Sequence, residues 1–273
     1  MNYLVRRGRA GSYSLNNWRQ FCPNRRYLAA EPAAQKTIKI YRYDPNIADS
    51  SPKLVSYKVD LDKSGQMYLD MLNYVKDSID PTLSFRRSCR EGICGSCAMN
   101  INGENKLACL TKIDPDVKST TTFHPLPHMF VIKDLVTDLS NFLTQYSAIM
   151  PFLINPSANG KQVIKQSPKD RDKINGLYDC ILCACCSAGC PSYWWQSDKF
   201  LGPAALLAAN RWIEDSRDTA KQQRLDFLSD KFRLYGCKTI LNCTQTCPKG
   251  LKPSEAIANL KTLASVNDEK KSS

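Results

Sequence analysis

The sequence predicts an α+β chain in two halves, strand-rich from residue 36 to about residue 144 and all-helical from 145 to 273. Two observations carry the division. Apolar residues recur with period two through much of the first half and with helical spacing through the second. A segment rich in Pro, Asn, Ser and Gly, Pro151 to Gly160, lies near the boundary. The cysteines add a third observation: of the 13 in the 273 residues, the twelve other than Cys22 fall in three tight groups, one in the first half and two in the second. Disulfide scaffolds spread their cysteines and carry more of them, so the clustering points to metal. At 42% hydrophobic and 23% charged, the composition excludes a chain disordered throughout. The longest apolar candidate for a membrane span, Phe200 to Ala209, is interrupted by Gly202 and Pro203 and falls short of the roughly 20 residues required.

The first element is charged. Residues 1–30 hold six arginines (Arg6, Arg7, Arg9, Arg19, Arg25, Arg26) and no acid, so half of the net charge of +12 sits there. Arg-rich, acid-free and punctuated by Ser12, Ser14 and spaced apolar residues, this stretch reads as a mitochondrial transit peptide; the alternative is a basic arm on a soluble protein.

Strands follow. Ile38 and Ile40 alternate with Thr37, Lys39 and Tyr41, and Leu54 to Leu61 repeats the pattern, which predicts a hairpin. Met67, Leu69, Met71, Leu72 and Val75 suit an amphipathic helix. Ala98 to Ile101 and Lys106 to Leu110 make a second hairpin around Asn102-Gly103. Phe123 to His128, with Pro125 and Pro127, reads as a rigid loop with two structural histidines. In the second half Pro203 opens a helix through Trp212. Leu225, Leu228, Phe232 and Tyr235 share one helical face, and Ile257, Leu260 and Leu263 share another.

The first cysteine group, Cys89, Cys94, Cys97 and Cys109, has the C-x4-C-x2-C-x11-C spacing of a plant-type ferredoxin and predicts a [2Fe–2S] cluster, three thiolates from one loop and the fourth from a following strand. Gly92 and Gly95 would let the loop backbone approach the sulfides. A structural zinc site would use two separated knuckles. A Rieske centre would replace two cysteines by histidines such as His124 and His128, and here all four are cysteine.

Cys180, Cys183, Cys186 and Cys190-Pro191 reproduce the bacterial run C-x2-C-x2-C-x3-C-P, whose fourth cysteine serves the other cluster of a pair. The partner run is Cys237, Ile240, Cys243 and Cys247-Pro248, with Ile240 in place of the second cysteine. Exchanging the fourth cysteines assigns Cys180, Cys183, Cys186 and Cys247 to a [4Fe–4S] cluster. Cys190, Cys237 and Cys243 are left with three thiolates, hence a [3Fe–4S] cluster whose vacant corner Ile240 covers with apolar surface. Cys185, beside Cys186, reads as a small buried hydrophobe. Thiolates needed for iron leave no expectation of a disulfide.

Three clusters in one chain make a single-electron wire, and no G-x-G-x-x-G, G-K-S/T or G-x-S-x-G motif offers other chemistry. Trp194 and Trp195, just after Cys190, suit a membrane interface or an aromatic ligand.

From about Lys36 to about Ala264 the chain resembles the iron–sulfur subunits of mitochondrial succinate dehydrogenase, respiratory complex II. The motifs that carry the resemblance are Arg86-Arg87-Ser88-Cys89-Arg90-Glu91-Gly92-Ile93-Cys94-Gly95-Ser96-Cys97, then Cys180-Ile181-Leu182-Cys183-Ala184-Cys185-Cys186, then Cys247-Pro248-Lys249-Gly250. The resemblance implies a β-grasp ferredoxin domain followed by a helical bacterial-ferredoxin-like domain. It implies a flavoprotein partner whose FAD oxidises succinate, hydrophobic membrane-anchor partners, and ubiquinone as acceptor. It places the chain at the mitochondrial inner membrane, peripheral on the matrix side. It maps quinone contacts onto Pro191, Ser192, Trp195 and Ile240, with the Trp195 indole donating to a quinone oxygen. One departure stands out: the family commonly has histidine after the first cysteine of the third group, and Lys238 stands here. Lysine keeps the positive charge but shuttles protons less readily near neutral pH, so Lys238 is expected to pair with an anion such as a haem propionate or an anchor carboxylate.

Other readings remain: a quinol:fumarate reductase subunit, a free-standing ferredoxin-like carrier, and a basic zinc protein that binds nucleic acid. The last loses its main support once the leader and the cluster thiolates are counted against the positive charge, so no nucleic-acid partner is expected.

Overall fold

The computed structural model describes residues 35–157 and 163–272; the expected leader, residues 1–30, and Cys22 lie outside the described residues. Strand β1 (Gln35–Arg42) pairs antiparallel with β2 (Lys53–Asp60) in the register Gln35↔Asp60 to Arg42↔Lys53, the hairpin that the alternation predicts. Ile38 and Ile40 are fully buried on its inner face. A single turn, α1 (Leu61–Ser64), is capped by the Asp60 side chain, and Gly65 swings the chain into α2 (Tyr68–Tyr74), which runs on as a wider π-helical turn, Val75–Ile79. Leu69, Met71, Leu72 and Val75 on this helix join the core beneath the sheet, as their spacing predicts.

The second hairpin is β3 (Ala98–Ile101) and β4 (Glu104–Leu107). Asn102 and Gly103 both take positive φ, 51° and 86°, as a tight turn matched to strand twist requires. The second strand was expected over Lys106 to Leu110 and instead ends at Leu107, because the Leu110 and Thr111 N–H groups bond back to the Leu107 carbonyl (3.1 and 3.2 Å) and close a turn. Cys109, expected on a strand, lies in that turn.

The expected loop Phe123 to His128 is corrected more substantially. Its start belongs to β5 (Thr121–His124), the middle strand of a five-stranded sheet ordered β2-β1-β5-β3-β4, parallel to β1 and antiparallel to β3. This mixed sheet, with α2 packed against it, is the β-grasp arrangement. A two-stranded ribbon, β6 (Val131–Lys133) and β7 (Val136–Thr137), and helix α3 (Ser140–Ala148) complete the first half.

Asp134, fully buried between β6 and β7, ties this half together: it accepts hydrogen bonds from the Arg42 Nε (2.9 Å), the Tyr43 N–H (3.0 Å) and the Ser84 N–H (2.8 Å). Arg42 also reaches Asp80, the Tyr57 hydroxyl and Thr82. Burial alone would raise the Asp80 carboxyl, but hydrogen bonds from Thr82, Tyr57 and Arg42 hold it well below the usual carboxylate range. The network anchors the segment that leads into the first cysteine loop.

The second half is helical: α4 (Pro168–Asp172), α5 (Cys185–Ala188), α6 (Pro191–Trp195), α7 (Gly202–Glu214), α8 (Lys221–Leu228), α9 (Asn242–Gln245) and α10 (Pro253–Ser272). Its core gathers Leu206 and Ile213 of α7, Leu225 and Leu228 of α8, and Ile257, Leu260 and Ala264 of α10. The face expected to run on through Phe232 and Tyr235 stops at Leu228. Asp230 accepts the Phe232 and Arg233 N–H groups (2.8 and 3.2 Å) and turns the chain, so Leu234 is buried and Tyr235 is exposed. Arg224, itself buried, pairs with Asp218 and donates to the carbonyls of Ile149, Met150 and Phe152, which clamps the connection between the halves.

Candidate metal centres

The first cysteine loop is built from backbone that side chains rarely allow. Arg90, Gly92 and Gly95 take φ of 61°, 71° and 70°. A Cβ at Gly92 would lie 2.4 Å from Leu110, and one at Gly95 would lie 2.8 Å from the Ile181 carbonyl oxygen. The curl turns N–H groups inward: Cys89 Sγ accepts from Ile93 and Cys94, both at 3.3 Å, and from Glu91 at 3.5 Å. Those backbone donors bring the Cys89 thiol down to about 6. The Ala108 N–H donates to the Cys97 carbonyl (3.2 Å) and sets Cys109 beside Cys97. Cys97 and Cys109 are buried, and burial pushes the Cys97 thiol up to about 12.

The seven other predicted ligands divide between two cavities. Cys180, Cys183, Cys186 and Cys247 line one, with Ala204, Leu207 and Leu251 in its walls. Cys190, Cys237 and Cys243 line the other, with Pro191, Ser192, Lys238 and Ile240. Cys185 lines neither cavity and is fully buried.

The two runs follow one backbone path. Positive φ recurs at the second and fourth residues after the leading cysteine, at Leu182 (54°) and Ala184 (65°) in one run and at Thr239 (58°) and Leu241 (71°) in the other. A single helical turn then begins at the fifth residue, α5 and α9 respectively. Ile240 therefore stands where Cys183 stands in the first run.

The donor sets fit iron–sulfur clusters. Burial pushes the Cys186 thiol well up, and the neighbouring Cys183, Cys180, Cys247 and Cys243 push it further; burial takes Cys180 up to about 11. Sulfurs so crowded cannot all ionise in an apolar cavity unless positive charge enters among them, which iron supplies. Among the described residues no three His, Cys, Asp or Glu side chains converge closely enough to hold a single metal ion. Sulfurs that serve different irons of one cluster need no such convergence. His124 and His128 face elsewhere: His124 packs on Tyr41 with ring centroids 6.3 Å apart, and His128 stacks on Trp194.

The three groups lie in series. Gly95 abuts Ile181 and Cys183, and Cys94, Ser96, Leu182 and Cys183 line one small cavity. The Asn105 side chain donates to the Cys185 carbonyl, and the Thr246 hydroxyl to the Asn105 carbonyl, both at 3.2 Å. Cys190 and Cys247 close the turns that begin with α5 and α9, so the second and third groups share a short stretch of chain.

Among the residues mapped to quinone, Pro191, Ser192 and Ile240 sit at the three-cysteine cavity. Trp195 does not line it; it projects from the same turn, α6, and is 76% exposed. Trp194 is tied down, its indole Nε1 donating to the Ala188 carbonyl at 2.6 Å. Lys238 is exposed and makes no ion pair among the described residues. The sequence reading did not identify Lys261, whose ammonium donates to the Cys237 carbonyl at 3.0 Å; one lysine on an amphipathic helix carries no signal of that contact.

Residues 37–144 match the model of the 2Fe-2S iron-sulfur cluster binding domain, and residues 176–251 match that of the 4Fe-4S dicluster domain. The chain is 57% identical over 234 residues to a protein of Oryza sativa subsp. japonica named succinate dehydrogenase (ubiquinone) iron-sulfur subunit 1, mitochondrial, an alignment covering 85% of this chain and 83% of the relative. It is also similar to a chain of the Mycobacterium smegmatis Sdh1 complex in the apo form, with a TM-score of 0.75 and 25% identity, covering 86% of this chain and 97% of that one. Likeness at that level, over both halves and all three cysteine groups, is more than a free carrier or a zinc protein would share: the chain belongs to the family of succinate dehydrogenase iron–sulfur subunits.

Proposed function

We propose that this chain conducts single electrons from the FAD of a flavoprotein subunit, reduced by succinate, to ubiquinone held against membrane-anchor subunits. Cys89, Cys94, Cys97 and Cys109 hold a [2Fe–2S] cluster, Cys180, Cys183, Cys186 and Cys247 a [4Fe–4S] cluster, and Cys190, Cys237 and Cys243 a [3Fe–4S] cluster. When bound, the clusters take up and release one electron at a time, which divides the two-electron oxidation of succinate into steps a wire can carry. The chain's own residues set the path. The N–H groups of Ile93 and Cys94 stabilise charge on the Cys89 sulfur, Gly95 brings the first loop against the second, and Ile240 closes the corner of the third site to a fourth ligand.

The observation that carries this reading is the serial placement of the three cysteine groups, the last opening to solvent beside Pro191, Ser192 and Ile240. The exposed Trp195 donates its free indole N–H to a quinone oxygen, and Lys238 pairs with an anion of the anchor, a haem propionate or a carboxylate. Residues 1–30 serve as a mitochondrial leader, and the chain sits on the matrix side of the inner membrane. The relative's mitochondrial name supports that location, and no helix among the described residues is long and apolar enough to cross a membrane.

Redox-titrated EPR of the purified complex tests the wire. Three cluster signals are expected, including one from an oxidised three-iron cluster, and a complex with two cubanes and no three-iron signal overturns the third assignment. A structure of the complex with Lys238 in bulk solvent overturns its pairing.

A further inference from the structure

We propose that His128 is a positioning residue for quinone reduction, holding Trp195 in the orientation that presents its indole N–H; the inference rests on the reading above that a quinone meets Trp195. His128 lies in the connection after β5, in the first half of the chain, and takes φ of 55°, a left-handed conformation that costs energy for any residue with a side chain. What the imidazole gains there is aromatic contact, since it has no hydrogen-bond partner among the described residues. It stacks on Trp194 with centroids 4.0 Å apart and planes 13° from parallel, and meets Trp195 edge to face at 5.6 Å and 69°.

The two tryptophans differ in freedom. Trp194 is fixed from behind by its bond to the Ala188 carbonyl, so its N–H is not available to a ligand. Trp195 is 76% exposed, has no hydrogen-bond partner among the described residues, and meets His128 as its ring neighbour. A mostly exposed indole samples several rotamers, and a ligand that needs one of them binds more weakly by the population of the rest. His128, seated on the immobile Trp194, narrows that distribution before the ligand arrives. Sequence alone reads His128 as structural because the partner rings lie in the other half of the chain.

The test compares variants in the assembled complex. His128→Asn removes the ring yet tolerates left-handed backbone, and His128→Phe keeps a ring that can stack. His128→Asn is expected to raise the KM for a short-chain ubiquinone about three- to tenfold, the range that loss of one aromatic contact produces. Turnover at saturating quinone, succinate-dependent reduction of a water-soluble dye and the three-iron EPR signal are expected to stay unchanged, and His128→Phe is expected to restore the KM. Trp195→Phe, measured in parallel, separates the two claims. If it leaves quinone reduction unaltered, the quinone reading falls. If it impairs quinone reduction while His128→Asn leaves the KM at the wild-type value, or while His128→Phe fails to restore it, the role of His128 falls. Loss of dye reduction or of the EPR signal in His128→Asn makes the residue structural and overturns the proposal as well.

Discussion

The two cysteine runs of the helical half share a backbone and differ in what covers them. In the first run Ile181, Leu182 and Cys183 are half-buried and Ala184 is fully enclosed, because the ferredoxin half lies across them through Gly95 and Asn105. In the second run the matching stretch, Lys238 to Asn242, is exposed along its whole length, with Ile240 and Leu241 each 48% exposed. One framework thus presents the same face twice. The covered copy packs against a domain of the same chain, and the bare copy leaves an apolar edge and a lysine exposed. A bare apolar edge beside a cation marks a surface that another molecule completes.

Ile240 separates the two runs most sharply, and changing it has the largest expected effect. Ile240→Cys restores the missing ligand on backbone already shaped to present one, since Leu241 and Thr239 keep the positive φ that frames Cys183 in the first run. The third centre is expected to become [4Fe–4S], its potential to fall by on the order of 100 mV, and quinone reduction to slow, while dye reduction upstream persists. An intact three-iron EPR signal in the variant would show that the ligand count does not set the cluster type.

The next test breaks the cover of the first run. Gly95→Ala places a methyl against the Ile181 carbonyl in a backbone conformation that alanine resists, so the loop must lift away from the second cysteine group. A loss of about 2–3 kcal/mol is expected from strain and overpacking, read as a lower thermal midpoint of the assembled complex. A variant as stable as wild type would mean the two loops are not in close contact.

Residues such as these show what could be read without coordinates. Ile38 and Ile40 reveal their hairpin because its pairing is local, and Asn102-Gly103 reveals a turn because few other pairs accept its φ angles. The partition of seven cysteines into four and three follows from the repeated offsets together with the exchange of the fourth cysteine between paired runs, because a repeated backbone forces a repeated spacing. Strand β5 was not legible: at four residues it is too short for periodicity, its pairing with β1 is remote in sequence, and Pro125 and Pro127 mask its end. Tyr235 was misplaced because a side-chain cap, Asp230, ended the helix where hydrophobic spacing alone would continue it. Contacts between the halves, such as Asn105 with Cys185, leave no periodic trace.

Asn105 also tests how much of the cover is polar. Its buried amide donates to the Cys185 carbonyl and its own carbonyl accepts from Thr246, one residue bridging both cysteine runs. Asn105→Ala removes the amide bond and leaves a buried carbonyl without that donor, with an expected cost of about 1–2 kcal/mol. Chemical denaturation of the complex, followed by loss of visible cluster absorbance, measures it. A cost near zero would mean that the side-chain bond to Cys185 adds nothing to the docking, leaving it to apolar contact and the Thr246 bond to the main-chain carbonyl, which alanine keeps.

The smallest effect is expected at Lys261, which reaches the bare run from α10. Its ammonium donates to the Cys237 carbonyl, and its side chain lines the three-cysteine cavity. A cation there favours the reduced, more negative form of whatever occupies the cavity, and partial burial keeps solvent from screening it fully. Lys261→Met keeps much of the chain length and apolar stem while removing the charge, so packing on α10 should survive. The third cluster's potential is expected to fall by about 20–60 mV, up to a tenfold change in a one-electron equilibrium, with the first two clusters unmoved in the same titration. A uniform shift of all three clusters would instead trace the effect to the net charge of the chain, and the contact of Lys261 with Cys237 would carry no local effect on the third centre.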